Sequence, residues 1–430
     1  METLFRTILM KRHSNDVWSV GAILARKTPP RCARDGRQQT SLLEKEENTA
    51  TMIKHLHELM HLLTFSQSNT RQMRHILLLS VILYHLGVVV CFGLRPGSTY
   101  KPSKSAVDAR RSLLSATSLA EEEASSLQIN GSENEPQRRS TGKVAILVCP
   151  AQFCVPDDYQ VLFENLSKVK EQVDVSVIGT CKVAPLPRNE WIKVARQLPT
   201  QEFFNAELPV YKTLKWYFDA IEKAASDIFA QEGPDVSLCI VGHSIGGWVA
   251  RAYLGGLSRS STAVHRRIMA QCSSLITLGT PHVSPEDALV DQTRGLLREI
   301  EETDTCQPEA LADRGIDITC VCSQSLSGKF TTLDIEEVVA ASSYLPLLGR
   351  VGEDVKGDGI VPLDLAFMGE PSRRVIVDRC SVSNAPVRHS HVLPTPWNLW
   401  DGYAPSINLP EDYVSYVSEG VLCQWAPYIR

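Results

Sequence analysis

Between Val236 and Leu257 a short, β-branched apolar run ends in Gly242-His243-Ser244-Ile245-Gly246 and passes straight into a second apolar stretch. In that stretch Trp248, Val249, Ala252, Tyr253 and Leu254 recur at helical spacing. No other feature restricts the fold as much. Gly-x-Ser-x-Gly at a strand-to-helix junction predicts a very sharp turn, where Gly242 and Gly246 lack the Cβ that would collide. The turn lifts the hydroxyl of Ser244 clear of the sheet and points the positive end of the next helix at any oxyanion formed beside it. Ser244 is therefore the candidate nucleophile. The plain alternative is a glycine turn with an incidental serine, since the bare pattern arises by chance in many proteins. The strand before it and the helix after it favour the nucleophile.

From Lys143 onward strand-like and helix-like patterns alternate. Val144 to Cys149 reads as a buried strand, and Val155 to Val169 has apolar residues at helical spacing. Val173 to Ile178 alternates as a second strand, and Leu208 to Phe229 predicts a long helix. Ser274 to Leu278, Ile316 to Cys322 and Arg374 to Asp378 follow as further strands. The expectation is an α/β fold, doubly wound, with a mostly parallel sheet and helices on both faces. Ligands on such sheets bind at the C-terminal strand ends, where Ser244 stands.

A serine nucleophile needs oxyanion donors, a base, and an acid to orient the base. The amide of Ile245 is the first expected donor. The Gln152 amide, in the loop Cys149 to Phe153 after the first strand, is the second. For the acid, Asp358 stands between Gly357 and Gly359 ahead of Ile360-Val361-Pro362; the bland reading is an exposed Asp-Gly turn. Glu353, Asp354 and Asp364 compete nearby, but the chain order Ser, Asp, His favours Asp358. Only His389 and His391 follow the acid. Either can be the base, with His389 preferred, and the bland reading makes both surface-loop residues. His243 reads as a packing residue of the turn, and His282 follows a strand end near the site.

Gly242 to Trp248, Leu278-Gly279-Thr280-Pro281-His282, Gly357 to Pro362 and the late His389-Ser390 pair together resemble the α/β-hydrolase superfamily. Within it they are similar to the lipase-like proteins of plants and algae grouped with GPI inositol-deacylase-like hydrolases. The resemblance spans about residues 143–430, with Ala151 where many lipases carry glycine. It implies an α/β-hydrolase-type sheet and ester hydrolysis, with lipid acyl esters favoured over small soluble esters, and no metal and no nucleotide cofactor. A thioesterase or amidase on the same residues is the rival activity, and a non-catalytic binding module is the rival class. Two insertions are expected, 283–315 with Leu296, Leu297 and Ile300 at helical spacing, and 323–356 with a helix from Leu333 to Ala341. Either can cover the site as a lid or form an ordinary surface element.

Composition narrows the partners. The net charge of −5 supplies no basic field for nucleic acid, and no polybasic patch favours tight membrane docking, although contact with a membrane surface fits a lipid substrate. The twelve cysteines are scattered without zinc or redox spacing, and Cys149, Cys239, Cys320 and Cys322 lie in apolar runs that make them reduced core residues.

The N-terminal third reads differently. Ile76 to Leu94 is an uncharged apolar run at the threshold for a membrane span. With Met73-Arg74-His75 before it, the run reads as a signal peptide, and the Ser/Arg/Lys-rich stretch 95–118 after it has transit-peptide composition. The pair resembles the bipartite plastid leaders of algae with secondary plastids, with Phe92 near the cleavage point. The expected organisation is an upstream, largely disordered extension (1–72), a targeting leader or membrane anchor (73–118), a disordered linker (119–142) and the α/β domain (143–430). The alternative localisation is a permanent anchor through residues 76–94.

Overall fold

The apolar runs that read as strands form the middle of a parallel sheet, because strands covered by helices on both faces lose the alternation of half-exposed ones. The computed structural model describes residues 143–169, 178–233, 235–285, 288, 291–394, 403 and 406–430; the expected extension, leader and linker, 1–142, lie outside them. The strands are β1 (Val144–Cys149), β2 (Ile178–Val183), β3 (Ser237–His243), β4 (Cys272–Leu278), β5 (Asp317–Cys322), β6 (Leu326–Gly328), β7 (Gly352–Gly357) and β8 (Arg373–Ile376). Six of them make one sheet in the order β2-β1-β3-β4-β5-β8, and every neighbouring pair is parallel. β6 and β7 pair antiparallel beside it.

Alternation along β1 divides the core. Ala145, Leu147 and Cys149 face one apolar cluster, with Tyr217, Trp248 and Leu275. Val144, Ile146 and Val148 face the other, with Val241, Ile276 and Trp425. Helix Lys215–Glu232 packs into the first cluster and helices Gln160–Val169 and Glu419–Trp425 into the second. The sheet is thus covered on both sides.

Topology fixes where a ligand goes. The chain leaves β1 for β2 on one side and returns to β3 on the other, so strand order reverses between β1 and β3. Open α/β sheets bind ligands in the crevice at that reversal, beyond the carboxyl ends of the strands. Cys149 of β1 is in register with Gly242 of β3, which places the Pro150 to Phe153 loop next to the Ser244 turn.

Several boundaries differ from the expected ones for identifiable reasons. The described part of β2 begins at Ile178 and runs on to Val183, while residues 173–177 of the expected strand lie outside the described residues. As an edge strand it is half-buried, so Gly179, Thr180 and Lys182 break the apolar pattern. The long helix expected from Leu208 is interrupted at Leu214 (φ −108°, ψ 9°), with a single turn, Val210–Thr213, before it. The second insertion carries its helix at Ile335–Leu348, later than Leu333 to Ala341. The Asp334 side chain accepts from the Glu336 amide at 2.8 Å and caps its start. Gly349, at φ 69°, ends it. In the first insertion Leu296, Leu297 and Ile300 are buried in helix Leu296–Glu302. Cys149, Cys239, Cys320 and Cys322 are free thiols buried in the sheet. Burial pushes the Cys239 thiol up to about 12, which removes it as a nucleophile at neutral pH.

Candidate active site

Ser244 sits between β3 and helix Ile245–Leu254 with φ 55° and ψ −127°, a conformation L-residues rarely adopt. Such strain persists only where neighbours over-determine the backbone. Here the Ser244 amide donates to the Leu278 carbonyl at 2.8 Å, and the Ser244 carbonyl accepts from Thr280 Oγ1 at 2.8 Å and the Gly247 amide at 3.0 Å. The flanking glycines permit the close approach. A Cβ on Gly246 would lie 2.1 Å from the Cys149 carbonyl oxygen, and one on Gly242 2.3 Å from the Gly247 Cα. The amide of Ile245, at the first helical position, precedes the intrahelical bonds and carries part of the positive end of the helix dipole.

Asp358 follows β7 and is 1% exposed. Four donors converge on its carboxylate. Oδ1 accepts from the amides of Ile360 (3.0 Å) and Val361 (2.7 Å), while Oδ2 accepts from His389 Nδ1 (2.8 Å) and the Tyr416 hydroxyl (2.7 Å). With Nδ1–H committed to the carboxylate, Nε2 of a neutral His389 is left as the proton acceptor, the tautomer a general base requires. The His389 amide also donates to the Asp358 carbonyl at 3.0 Å.

Gly279 explains part of the Leu-Gly-Thr-Pro element. It lies at φ +53°, and a Cβ there would stand 2.4 Å from Asp358 Oδ2 and 2.9 Å from His389 Nδ1. A bare backbone at the end of β4 leaves room for the acid and imidazole to meet. Thr280, next in sequence, holds the serine turn by the bond already described.

The competing residues have other surroundings. Asp354 and Asp364 are exposed and both pair with Arg350 at 2.8 Å, and Glu353 lies at the surface 3.4 Å from Lys329. His391 Nε2 donates to the Asp158 carbonyl, with the ring against Tyr159 and His243. Burial pulls its pKa below the usual histidine range. His282 is buried with Nε2 3.0 Å from Thr277 Oγ1.

Ser244, Asp358 and His389 line one cavity of about 250 Å³, together with Gln152 and Ile245. Its walls are mainly apolar, with Phe153, Trp248, Leu297, Val339, Leu347 and Leu393 contributing. Both stretches expected as insertions supply lining: Leu297 comes from 283–315, and Glu336, Val339, Ser343 and Leu347, on the Ile335–Leu348 helix, come from 323–356. Arg388 pairs with Glu336 through two bonds, at 2.8 and 2.9 Å, and so joins that helix to the residue preceding His389.

Sequence reasoning missed Tyr416. Its hydroxyl donates to Asp358 and accepts from the Ser323 amide at 3.1 Å, and burial holds its pKa well above the ordinary tyrosine value, so it stays a donor. No local pattern marks it, because the contact joins the C-terminal loop to the end of β7. The turn motif marks His243 only as packing, yet a polar side chain in the last position of a buried strand is itself a signal that it has partners.

No curated protein matches the chain. Residues 210–321 match the family model described as PGAP1-like alpha/beta domain, a stretch that holds the Ser244 turn and Gly279 but ends before Asp358 and His389. Sheet and match agree: the chain has an α/β-hydrolase-type fold and is similar, over 210–321, to the lipase-like, hydrolase-related PGAP1-like family.

Proposed function

We propose that the chain is a serine hydrolase that cleaves carboxylic esters, with lipid acyl esters as the preferred class. The observation that carries this reading is the 2.8 Å Asp358–His389 contact opening into the same cavity as the strained Ser244 turn. In the proposed reaction His389 Nε2 takes the Ser244 proton as Oγ attacks the acyl carbonyl carbon. Asp358 holds the imidazole and stabilises its cationic form. The amides of Gln152 and Ile245 donate to the tetrahedral oxyanion. Collapse breaks the ester C–O bond, and His389 returns the proton to the departing alcohol. Water, activated by the same imidazole, then attacks the acyl-serine and releases the acid.

Apolar walls favour an acyl chain over a small soluble acid, because each buried methylene contributes about 0.8 kcal/mol. Across a series of aryl esters of increasing chain length, kcat/KM should therefore rise by about tenfold per pair of fully buried methylenes until the cavity is filled. A flat or falling series would remove the lipid preference. Faster turnover of matched thioesters or amides than of the esters would replace the ester reading with one of those activities.

For localisation, the order basic start, apolar run, Ser/Arg-rich stretch favours import into a plastid. The mature protein is then expected to begin after Leu94, because the apolar run leaves with the signal peptide. N-terminal sequencing of the native protein decides it. A mature start upstream of Met73, with the protein retained in membranes after alkaline carbonate, would instead support a permanent anchor.

A further inference from the structure

We infer that His243 is a positioning residue that ties the base and the oxyanion loop to the strand end carrying the nucleophile. The inference rests on the serine hydrolase reading and adds a residue to it. His243 closes β3 immediately before Ser244, is buried, and does not line the cavity; its ring lies against Tyr159 and Tyr416 of the second apolar cluster. Its Nε2 lies 2.9 Å from the carbonyl oxygen of His389, and its Nδ1 lies 2.9 Å from the hydroxyl of Tyr159. That hydroxyl accepts from the Ala151 amide at 2.8 Å.

Chemistry fixes the direction of each bond. A carbonyl oxygen only accepts, so Nε2 carries the proton. Burial, with His389 and His391 close by, pulls the His243 pKa well below the usual histidine range, and the ring is neutral. Nδ1 is then an acceptor and Tyr159 donates to it. One polarised chain results: the Ala151 amide to Tyr159, Tyr159 to His243, and His243 to the His389 carbonyl. It begins one residue before Gln152 and ends on the backbone of the base.

The chain holds three parts of the site to one frame. Ser244 is covalently next to His243. The His389 backbone is held at both ends, its amide by the Asp358 carbonyl and its carbonyl by His243. The loop of Gln152 is held through Ala151. Removing the imidazole frees the base and one oxyanion donor to shift together, while the cavity walls that bind the acyl chain stay in place. Misplacement of about 1 Å can lower turnover by about 100-fold.

The test compares His243→Leu, His243→Gln, Tyr159→Phe and the His243→Leu/Tyr159→Phe double variant in the full chain. kcat is referred to the serine titratable by a fluorophosphonate, so that unfolded molecules do not count. His243→Leu should lower kcat by about 10- to 100-fold with KM within about threefold of wild type. Glutamine, which can still donate to the His389 carbonyl, should recover most of that loss. Tyr159→Phe, the mildest change, should lower kcat less, and the double variant should be no worse than His243→Leu alone, because both act through one chain. Wild-type kcat per titrated serine in His243→Leu would overturn the inference, as would losses that multiply in the double variant. A wild-type protein that neither labels nor hydrolyses esters would instead overturn the hydrolase reading, and this inference with it.

Discussion

Replacing Ser244 with alanine is expected to lower ester hydrolysis by about four to six orders of magnitude and to leave the melting temperature close to that of the wild type. The prediction separates chemistry from folding because the backbone contacts that hold the turn use main-chain atoms of residue 244. Its amide reaches Leu278, and its carbonyl accepts from Thr280 and Gly247. Alanine keeps all of them. It also keeps the strain, because φ 55° with ψ −127° is unfavourable for alanine as it is for serine. Only Oγ is lost. A fluorophosphonate probe should label the wild-type protein and not the variant. Undiminished turnover in the variant would end the assignment of Ser244. A well-folded wild-type protein that resists the probe would favour a non-catalytic binding module on the same fold.

How far the sequence predicts this molecule depends on where each element sits. β1, β3, β4 and β5 were legible because both faces are buried, so their residues form apolar runs that few other structures would use. β2 and β8 are edges of the sheet. Their half-exposed residues, Lys182, Arg373 and Arg374 among them, carry a weak pattern, and the expected bounds moved accordingly. The insertion helix was legible in kind but not in position, since Leu333, its expected first residue, is fully exposed and lies before it, while the cap that starts the helix is Asp334.

The candidate site divides the same way. Ser244 and Asp358 announce themselves through local geometry, since each needs glycine beside it for a turn or a close approach. Gly279 belongs with them only once the fold is known, because the side chains its bare backbone accommodates, Asp358 and His389, lie far away in sequence. Tyr416, Tyr159 and the partners of His243 act through contacts between distant segments, and no spacing rule reaches them. Where one hydrogen-bonded residue contacts another from a remote loop, identity alone does not reveal the partner.

The choice between the two late histidines is the sharpest case, and it yields the second large effect. They are the same residue type, two positions apart in one loop, so composition and order cannot separate them. Their partners differ. His389 meets a carboxylate that already accepts from two amides and a tyrosine, which holds the ring with Nδ1 protonated and leaves Nε2 free to take a proton in the cavity. His391 commits its Nε2–H to a backbone carbonyl, that of Asp158, and packs against the rings of Tyr159 and His243. His389→Ala is therefore expected to lower kcat by about four to six orders of magnitude, comparable to loss of the nucleophile, since the two act as a unit. His391→Ala should lose less than about tenfold in kcat and show its effect mainly as a lower melting temperature, because a buried carbonyl is left without its donor. Both variants should be assayed per folded molecule, with circular dichroism confirming the fold. The opposite ranking would transfer the role to His391 and require Asp358 to serve another purpose. Small losses in both would remove histidine from the mechanism and, with it, the Ser-His-Asp reading of the cavity.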